Sequence, residues 1–170
     1  TQTLADPSKL APAFLQLFGQ LRERNPQLKI VLSVSPVRHI REGLVQNNRS
    51  KARLFMLVEA LCEQAEEVHY FPAYELLVDV LRDYRFYADD YAHPSQSAVR
   101  DICDAFMQSC ATDETLHFSN RMRQFNRDAS HRPRFPETSA YRLFHSRLEE
   151  TKASLLRDYP ELETRAFFNR

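Results

Sequence analysis

Residues 28–36 have the sequence Leu-Lys-Ile-Val-Leu-Ser-Val-Ser-Pro, and residues 68–72 have the sequence Val-His-Tyr-Phe-Pro. Both are short apolar runs with β-branched residues that end at a proline, which is typical of buried strands. Between them, Ser50 is suited to cap a helix whose apolar spacing continues to about residue 67. Strand, helix and strand in this order form a βαβ unit with parallel strands and a right-handed crossover. The sequence therefore predicts an α/β fold built on a parallel sheet.

Helical patterns occupy most of the remaining chain. The first begins after the start signal Asp6-Pro7-Ser8 and runs over about 8–24, until Asn25-Pro26 interrupts it. Further helices are predicted at about 72–82, from Pro94 to about Cys110, at 113–127 and at 138–158. No strand pattern follows Cys110. We therefore expect a partial α/β domain over residues 1–110 and a mostly helical carboxyl-terminal extension over 111–170.

Two strands are fewer than an open parallel sheet needs. Such sheets commonly have about five or six strands, with helices on both faces. The strand and helix order fits a flavodoxin-like sheet of which half is missing. Either other chains complete it, or these residues are the carboxyl-terminal part of a longer domain. Because the sequence begins at Thr1 without a methionine, it favours the second explanation.

The composition excludes several classes of protein. Only two glycines occur among 170 residues, so glycine-rich loops for dinucleotides or nucleoside triphosphates cannot be built. Lys and Arg together number 23, as do Asp and Glu, which leaves no net charge to attract nucleic acid or a membrane surface. The three cysteines lack metal-ligand spacing and predict reduced core thiols in a cytoplasmic protein. No nucleic-acid partner, membrane partner, metal or cofactor is expected.

The best candidate for chemistry is Asp89-Asp90-Tyr91-Ala92-His93-Pro94. Pro94 suits the first position of a helix, so His93 is expected to cap that helix, where the positive end of the helix dipole keeps the imidazole neutral. Asp90 can then fold back to hold the Nδ1 proton, as in a Ser-His-Asp triad. A surface cap without catalysis is the alternative, and a metal site that adds Asp89 is another. The same Asp-x-x-His spacing recurs at Asp128 and His131, and we treat that pair as accidental.

Several longer blocks resemble one family. They are Ile-Val-Leu-Ser-Val-Ser-Pro-Val-Arg-His at 30–39, Asn-Asn-Arg-Ser-Lys-Ala at 47–52, Tyr-Phe-Pro-Ala-Tyr-Glu at 70–75, Leu-Arg-Asp-Tyr-Arg-Phe-Tyr at 81–87, and then Asp90 with His93-Pro94-Ser95. In order and spacing they resemble the later blocks of the GSCFA domain family, which is grouped with SGNH/GDSL-type hydrolases. The resemblance covers about residues 10–110. It implies a flavodoxin-like fold, with His93 as catalytic base and Asp90 as the acid that orients it.

The departures from this family concern the covalent step. The Gly-Ser-Cys-Phe-Ala segment with the serine nucleophile is absent, as are the blocks that resemble oxyanion-hole donors. We therefore expect the carboxyl-terminal part of an ester hydrolase that is inactive alone, its intact form acting on an acylated carbohydrate or lipid. Arg38 and His39 are candidate substrate-binding residues, with solvated loop charges as the alternative. The rival function is an interaction module without catalysis that self-associates through a sheet edge and apolar helices.

Overall fold

The structure is a computed structural model that describes residues 4–135 and 137–164. It divides into two compact units, Thr1–Ser109 and Cys110–Arg170. Helix α1 spans Pro7–Arg24. It begins at Asp6, whose side chain accepts a hydrogen bond from the main-chain N–H of Ser8 at 3.1 Å. The helix predicted over 8–24 is thus confirmed.

A βαβ unit follows α1. Strand β1 is Ile30–Leu32, helix α2 is Leu44–Gln64, and strand β2 is Val68–Tyr70. The strands pair in parallel, with Ile30 opposite Val68 and Leu32 opposite Tyr70, as predicted. Apolar side chains from α1, α2 and the sheet form the core of this region: Ala11, Phe18, Leu57, Leu61 and Val68 are buried there, and Ile30 and Leu32 pack against them.

The predicted flavodoxin-like sheet is wrong. About 69% of the described residues are helical, and the described sheet has only the strands β1 and β2. Ile30 and Leu32, in the apolar run at 28–34, pack against the core with α1 and α2. The run is therefore apolar although only one face of the described sheet is covered. Val31, which points to the other face, is 41% exposed. An apolar strand-like run therefore marks one packed face here.

Helix α2 begins earlier than predicted. Ser50 lies inside the helix, and Gly43 precedes its first residue with φ at 83°. This left-handed conformation suits glycine, because a side chain at this position would strain the backbone. A short 3₁₀ helix, Ile40–Glu42, lies between β1 and α2.

The rest of the first unit has a small core of its own. After β2 come α3, Ala73–Glu75, a π-helix, Leu76–Leu81, and a 3₁₀ turn, Tyr84–Phe86. Helix α4 then spans Gln96–Cys110. The core of this region consists of Leu77, Tyr87 and Ala98, with Leu81, Phe86 and Ile102 packed against it. It supports the loop between Tyr87 and α4, which carries Asp90 and His93.

The second unit is helical in its described part. Helix α5 is Asp113–Ala129, α6 is Ser139–Asp158, and a 3₁₀ helix spans Pro160–Thr164. The helices predicted at 113–127 and 138–158 are therefore present. The core of this unit is formed by Met122, Phe125, Leu155 and Leu162.

Among the described residues, no helix is long and apolar enough to cross a membrane.

Candidate functional site

The loop that carries Asp90 and His93 is a tight, hydrogen-bonded turn. Tyr87 and Pro94 form an antiparallel bridge at its base, and the N–H of Ala88 donates to the carbonyl of His93 at 2.8 Å. Tyr91, between Asp90 and His93, has φ at 54°, in the left-handed region that a bulky residue seldom adopts. This conformation reverses the chain and lets Asp90 face the residues that follow it.

The Asp90 carboxylate accepts three hydrogen bonds within this turn. Oδ1 accepts the main-chain N–H groups of Ala92 at 2.9 Å and of His93 at 3.0 Å. Oδ2 lies 2.6 Å from Nδ1 of the His93 ring. The main-chain N–H of His93, then its ring, then the N–H of Ala92 lower the pKa of Asp90 from 3.8 to about 2. Asp90 is therefore an anion at neutral pH.

The ionised carboxylate decides which nitrogen of the neutral His93 ring carries the proton. A carboxylate anion can only accept, so Nδ1 of His93 carries the proton. In the neutral ring, Nε2 is then a free base. Among the described residues Nε2 has no hydrogen-bond partner, and the His93 side chain is 63% exposed. The structure thus brings the two predicted residues together as an acid–base couple, while their catalytic role stays a prediction.

The expectation that His93 caps a helix is wrong. Helix α4 begins at Gln96, and the Ser95 hydroxyl accepts the N–H of Ala98 at 3.3 Å. Pro94 is drawn into the bridge with Tyr87 and does not start the helix. The tautomer of the neutral His93 ring is therefore set by the contact with Asp90, and the argument from the helix dipole no longer applies.

Arg38 and His39, the predicted binding residues, have different surroundings. Arg38 is half-buried, and its guanidinium donates to the carbonyl of Tyr91 at 3.1 Å and lies 4.2 Å from the centre of the Tyr87 ring. His39 is exposed, and its main-chain N–H donates to Oδ1 of Asn47 at 2.9 Å. His39 also lines an open cleft of about 260 Å³ beside the start of α2. Of these two described residues, Arg38 is the one that contacts the turn that holds Asp90 and His93.

Sequence reasoning missed two buried polar residues of α2, Asn47 and Lys51. Lys51 is only 3% exposed, its ammonium donates to the carbonyl of Ser35, and burial lowers its pKa. Asn47 holds the N–H of His39. Residues four apart lie on the same face of a helix, so both point at the segment after β1. The block at 47–52 contains both residues, but its five polar residues are consecutive and do not single out Asn47 and Lys51.

The second Asp-x-x-His pair is not joined through its side chains. Both Asp128 carboxylate oxygens accept from Nε2 of Gln124, at 3.0 and 2.9 Å. The ring of His131 lies against Phe144, 5.5 Å between ring centres. This pair therefore serves as a control of equal spacing.

The alternative of a metal site is not supported in the described part of the chain. There, no group of three or more His, Cys, Asp or Glu side chains is arranged to hold a metal ion. The cysteines are free thiols, but Cys103 and Cys110 are exposed and Cys62 is half-buried. The prediction of core thiols is therefore wrong for Cys103 and Cys110.

An imidazole held by a carboxylate, with its second nitrogen free, is the acid–base couple that many hydrolases use. The GSCFA family model matches residues 1–106, more than half of the 170 residues. The chain therefore belongs to the GSCFA family. This membership fits a hydrolase and gives no support to the self-associating module. Comparison with curated proteins and with solved structures gave no significant match.

Proposed function

We propose that this chain supplies the base of a serine acyl hydrolase of the SGNH type. His93 is the general base, and Asp90 orients it and stabilises its charged form. The observation that carries the proposal is the 2.6 Å contact between Oδ2 of Asp90 and Nδ1 of His93, which leaves Nε2 of the ring free.

The proton follows a defined route in this proposal. Nε2 of His93 takes the proton of a serine hydroxyl as the oxygen attacks the ester carbonyl. The imidazolium then gives the proton to the departing alcohol as the carbon–oxygen bond breaks. Water repeats the cycle on the acyl-enzyme and restores the serine. Asp90 stays ionised throughout, which its low pKa supports.

The proposal assigns the serine and the oxyanion donors to residues outside this sequence. No Gly-Ser-Cys-Phe-Ala segment occurs in it. A base and its carboxylate alone lack the covalent step and the stabilisation of the oxyanion. The chain by itself should therefore be inactive on esters. The substrate class remains the ester of an acylated carbohydrate or lipid, and the free thiols fit a cytoplasmic setting.

Ester hydrolysis by an extended chain that includes a Gly-Ser-Cys-Phe-Ala segment tests the proposal. Chromogenic esters of short acyl chains are the probe, and the chain of 170 residues is the negative control. His93→Ala in the extended chain should lower turnover at least about a thousandfold. The matched control is His131→Ala, because it removes a histidine of the same spacing and should leave turnover unchanged. Unchanged turnover in His93→Ala would exclude His93 as the base.

A further inference from the structure

The geometry points to Arg38 as a positioning residue that holds the turn around Asp90 and His93 in its paired form. This inference rests on the proposed function, because it deepens the role of the same site. Arg38 is a candidate for substrate binding by sequence, and in the structure its guanidinium contacts the protein itself.

Arg38 contacts this turn at three points. Its main-chain N–H donates to the carbonyl of Ala92 at 3.0 Å, and Nη1 of its side chain donates to the carbonyl of Tyr91 at 3.1 Å. Its guanidinium also lies over the Tyr87 ring, at the base of the turn. The two held carbonyls are those of the residues between Asp90 and His93. Arg38 therefore fixes the peptide groups that decide whether the two side chains meet.

The turn needs such support because its backbone is strained. A left-handed conformation is unfavourable at a residue other than glycine, and Tyr91 adopts it. In this turn the N–H groups of Ala92 and His93 both donate to Oδ1 of Asp90. A charged donor on the carbonyl of Tyr91 offsets this cost.

Arg38 is itself placed by the buried residues of α2. Lys51 holds the carbonyl of Ser35, and Asn47 holds the N–H of His39, on either side of Arg38. The segment 35–39 is thus fixed at both ends, and Arg38 projects from between them. Hydrogen bonds from α2 hold the backbone on both sides of Arg38, and hydrogen bonds from Arg38 hold the turn with Asp90 and His93.

The tautomer of the His93 ring reports on this pair without any enzymatic activity. In ¹⁵N NMR spectra of the neutral ring, the native chain should show His93 mainly with its proton on Nδ1. Arg38→Met removes the guanidinium and keeps the main-chain N–H. We expect the ratio of the Nδ1-H to the Nε2-H form to fall roughly tenfold, about the factor that one charge-assisted hydrogen bond contributes to an equilibrium.

Two further variants complete the design. Arg41→Met removes an exposed arginine of the neighbouring 3₁₀ helix and should leave the ratio unchanged. Arg38→Lys keeps the charge but lacks the planar group that stacks on Tyr87, so a smaller fall is expected. The ring signals of His39 and His69 show whether each variant is folded. If Arg38→Met does not fold, Arg38→Lys decides the question.

The outcomes separate this inference from the proposed function. A native ratio in a folded Arg38 variant would overturn the positioning role and leave the hydrolase proposal intact, because the pair would still form. A native chain with the His93 proton mainly on Nε2 would overturn both, since the contact with Asp90 would be missing. A fall in both Arg38 variants with no change in Arg41→Met supports Arg38 as the positioning residue.

Discussion

Replacing His93 by alanine should raise the pKa of the Asp90 carboxyl only part of the way to its ordinary value. Three hydrogen bonds hold that pKa at about 2, and the largest contribution comes from the main-chain N–H of His93. The ring of His93 is second, and the N–H of Ala92 is third. Alanine removes the ring but keeps both main-chain groups. The pKa in His93→Ala is therefore expected between about 2 and 3.8.

The measurement is the ¹³C shift of the Asp90 carboxyl, followed from neutral pH to below the expected midpoint. Asp90→Asn identifies the signal by removing it. His131→Ala is the control and should leave the titration of Asp90 unchanged, because the control pair lies in the other unit. A native Asp90 that titrates near 3.8 would refute the described turn. A full return to 3.8 in His93→Ala would show that the main-chain bonds are not formed.

The same pKa has a consequence for stability. The folded value lies below the unfolded value of about 3.9, so the unfolded chain binds more protons between the two. The stabilisation from Asp90 is therefore fully present above the unfolded value and is lost as the pH falls through about 2. The difference in unfolding free energy between the native chain and Asp90→Asn should shrink over this interval. A difference that does not change with pH would contradict the assignment.

Three further predictions concern the surrounding structure, and urea unfolding measures each. Because burial lowers the pKa of Lys51, the unfolded chain keeps this proton to higher pH, and the contribution of Lys51 to native stability should rise with pH up to about 10.4. The difference in unfolding free energy between the native chain and Lys51→Met should therefore shift in favour of the native chain over this interval, and a constant difference would contradict it. Leu77 is fully buried beside Tyr87, so Leu77→Ala should cost about 2–5 kcal/mol, and a negligible cost would argue against this core. Gly19→Ala, inside α1, should stabilise by about 0.5–1 kcal/mol, whereas Gly43→Ala should destabilise by about 1–2 kcal/mol because of its positive φ. Effects of equal sign would refute this contrast.

Periodicity predicted the elements whose faces pack against a core. Helix α1, the strands of the βαβ unit, α5 and α6 all appear close to their predicted places. The start of α2 was missed because its first turn does not face a core: Leu44 and Val45 are exposed. Farther along, Asn47 and Lys51 face the segment 35–39, so the helix face there is polar. The capping residue Ser50, followed by apolar spacing, therefore placed the predicted start of the helix too late.

The fold class was wrong for a related reason. A short apolar run cannot tell whether one face or both faces of a strand are covered. Val31 is exposed, whereas Ile30 and Leu32 pack against the core with α1 and α2. The local order of strand, helix and strand could be predicted, but the size of the sheet depends on partners that no local pattern specifies.

The contact between Asp90 and His93 could be predicted from their spacing, but its support by Arg38 could not. Arg38 and Tyr91 are 53 residues apart in sequence. They meet because the fold brings the segment 35–39, which follows β1, to this turn. An arginine after a strand is equally consistent with substrate binding, with a solvated charge and with a hydrogen bond to a distant carbonyl. The structure shows the last of these, and substrate binding stays a prediction.

The two Asp-x-x-His pairs show that this spacing does not by itself predict a contact between the two side chains. Asp128 lies in α5, where side chains tilt toward the helix amino terminus. Its carboxylate therefore meets Gln124, one turn earlier, and is turned away from His131. Asp90 lies outside a helix, and the left-handed Tyr91 turns the chain back over it. In this chain the side chains of the motif meet in the turn with the left-handed Tyr91 and do not meet at the end of α5, so the spacing alone does not predict the contact.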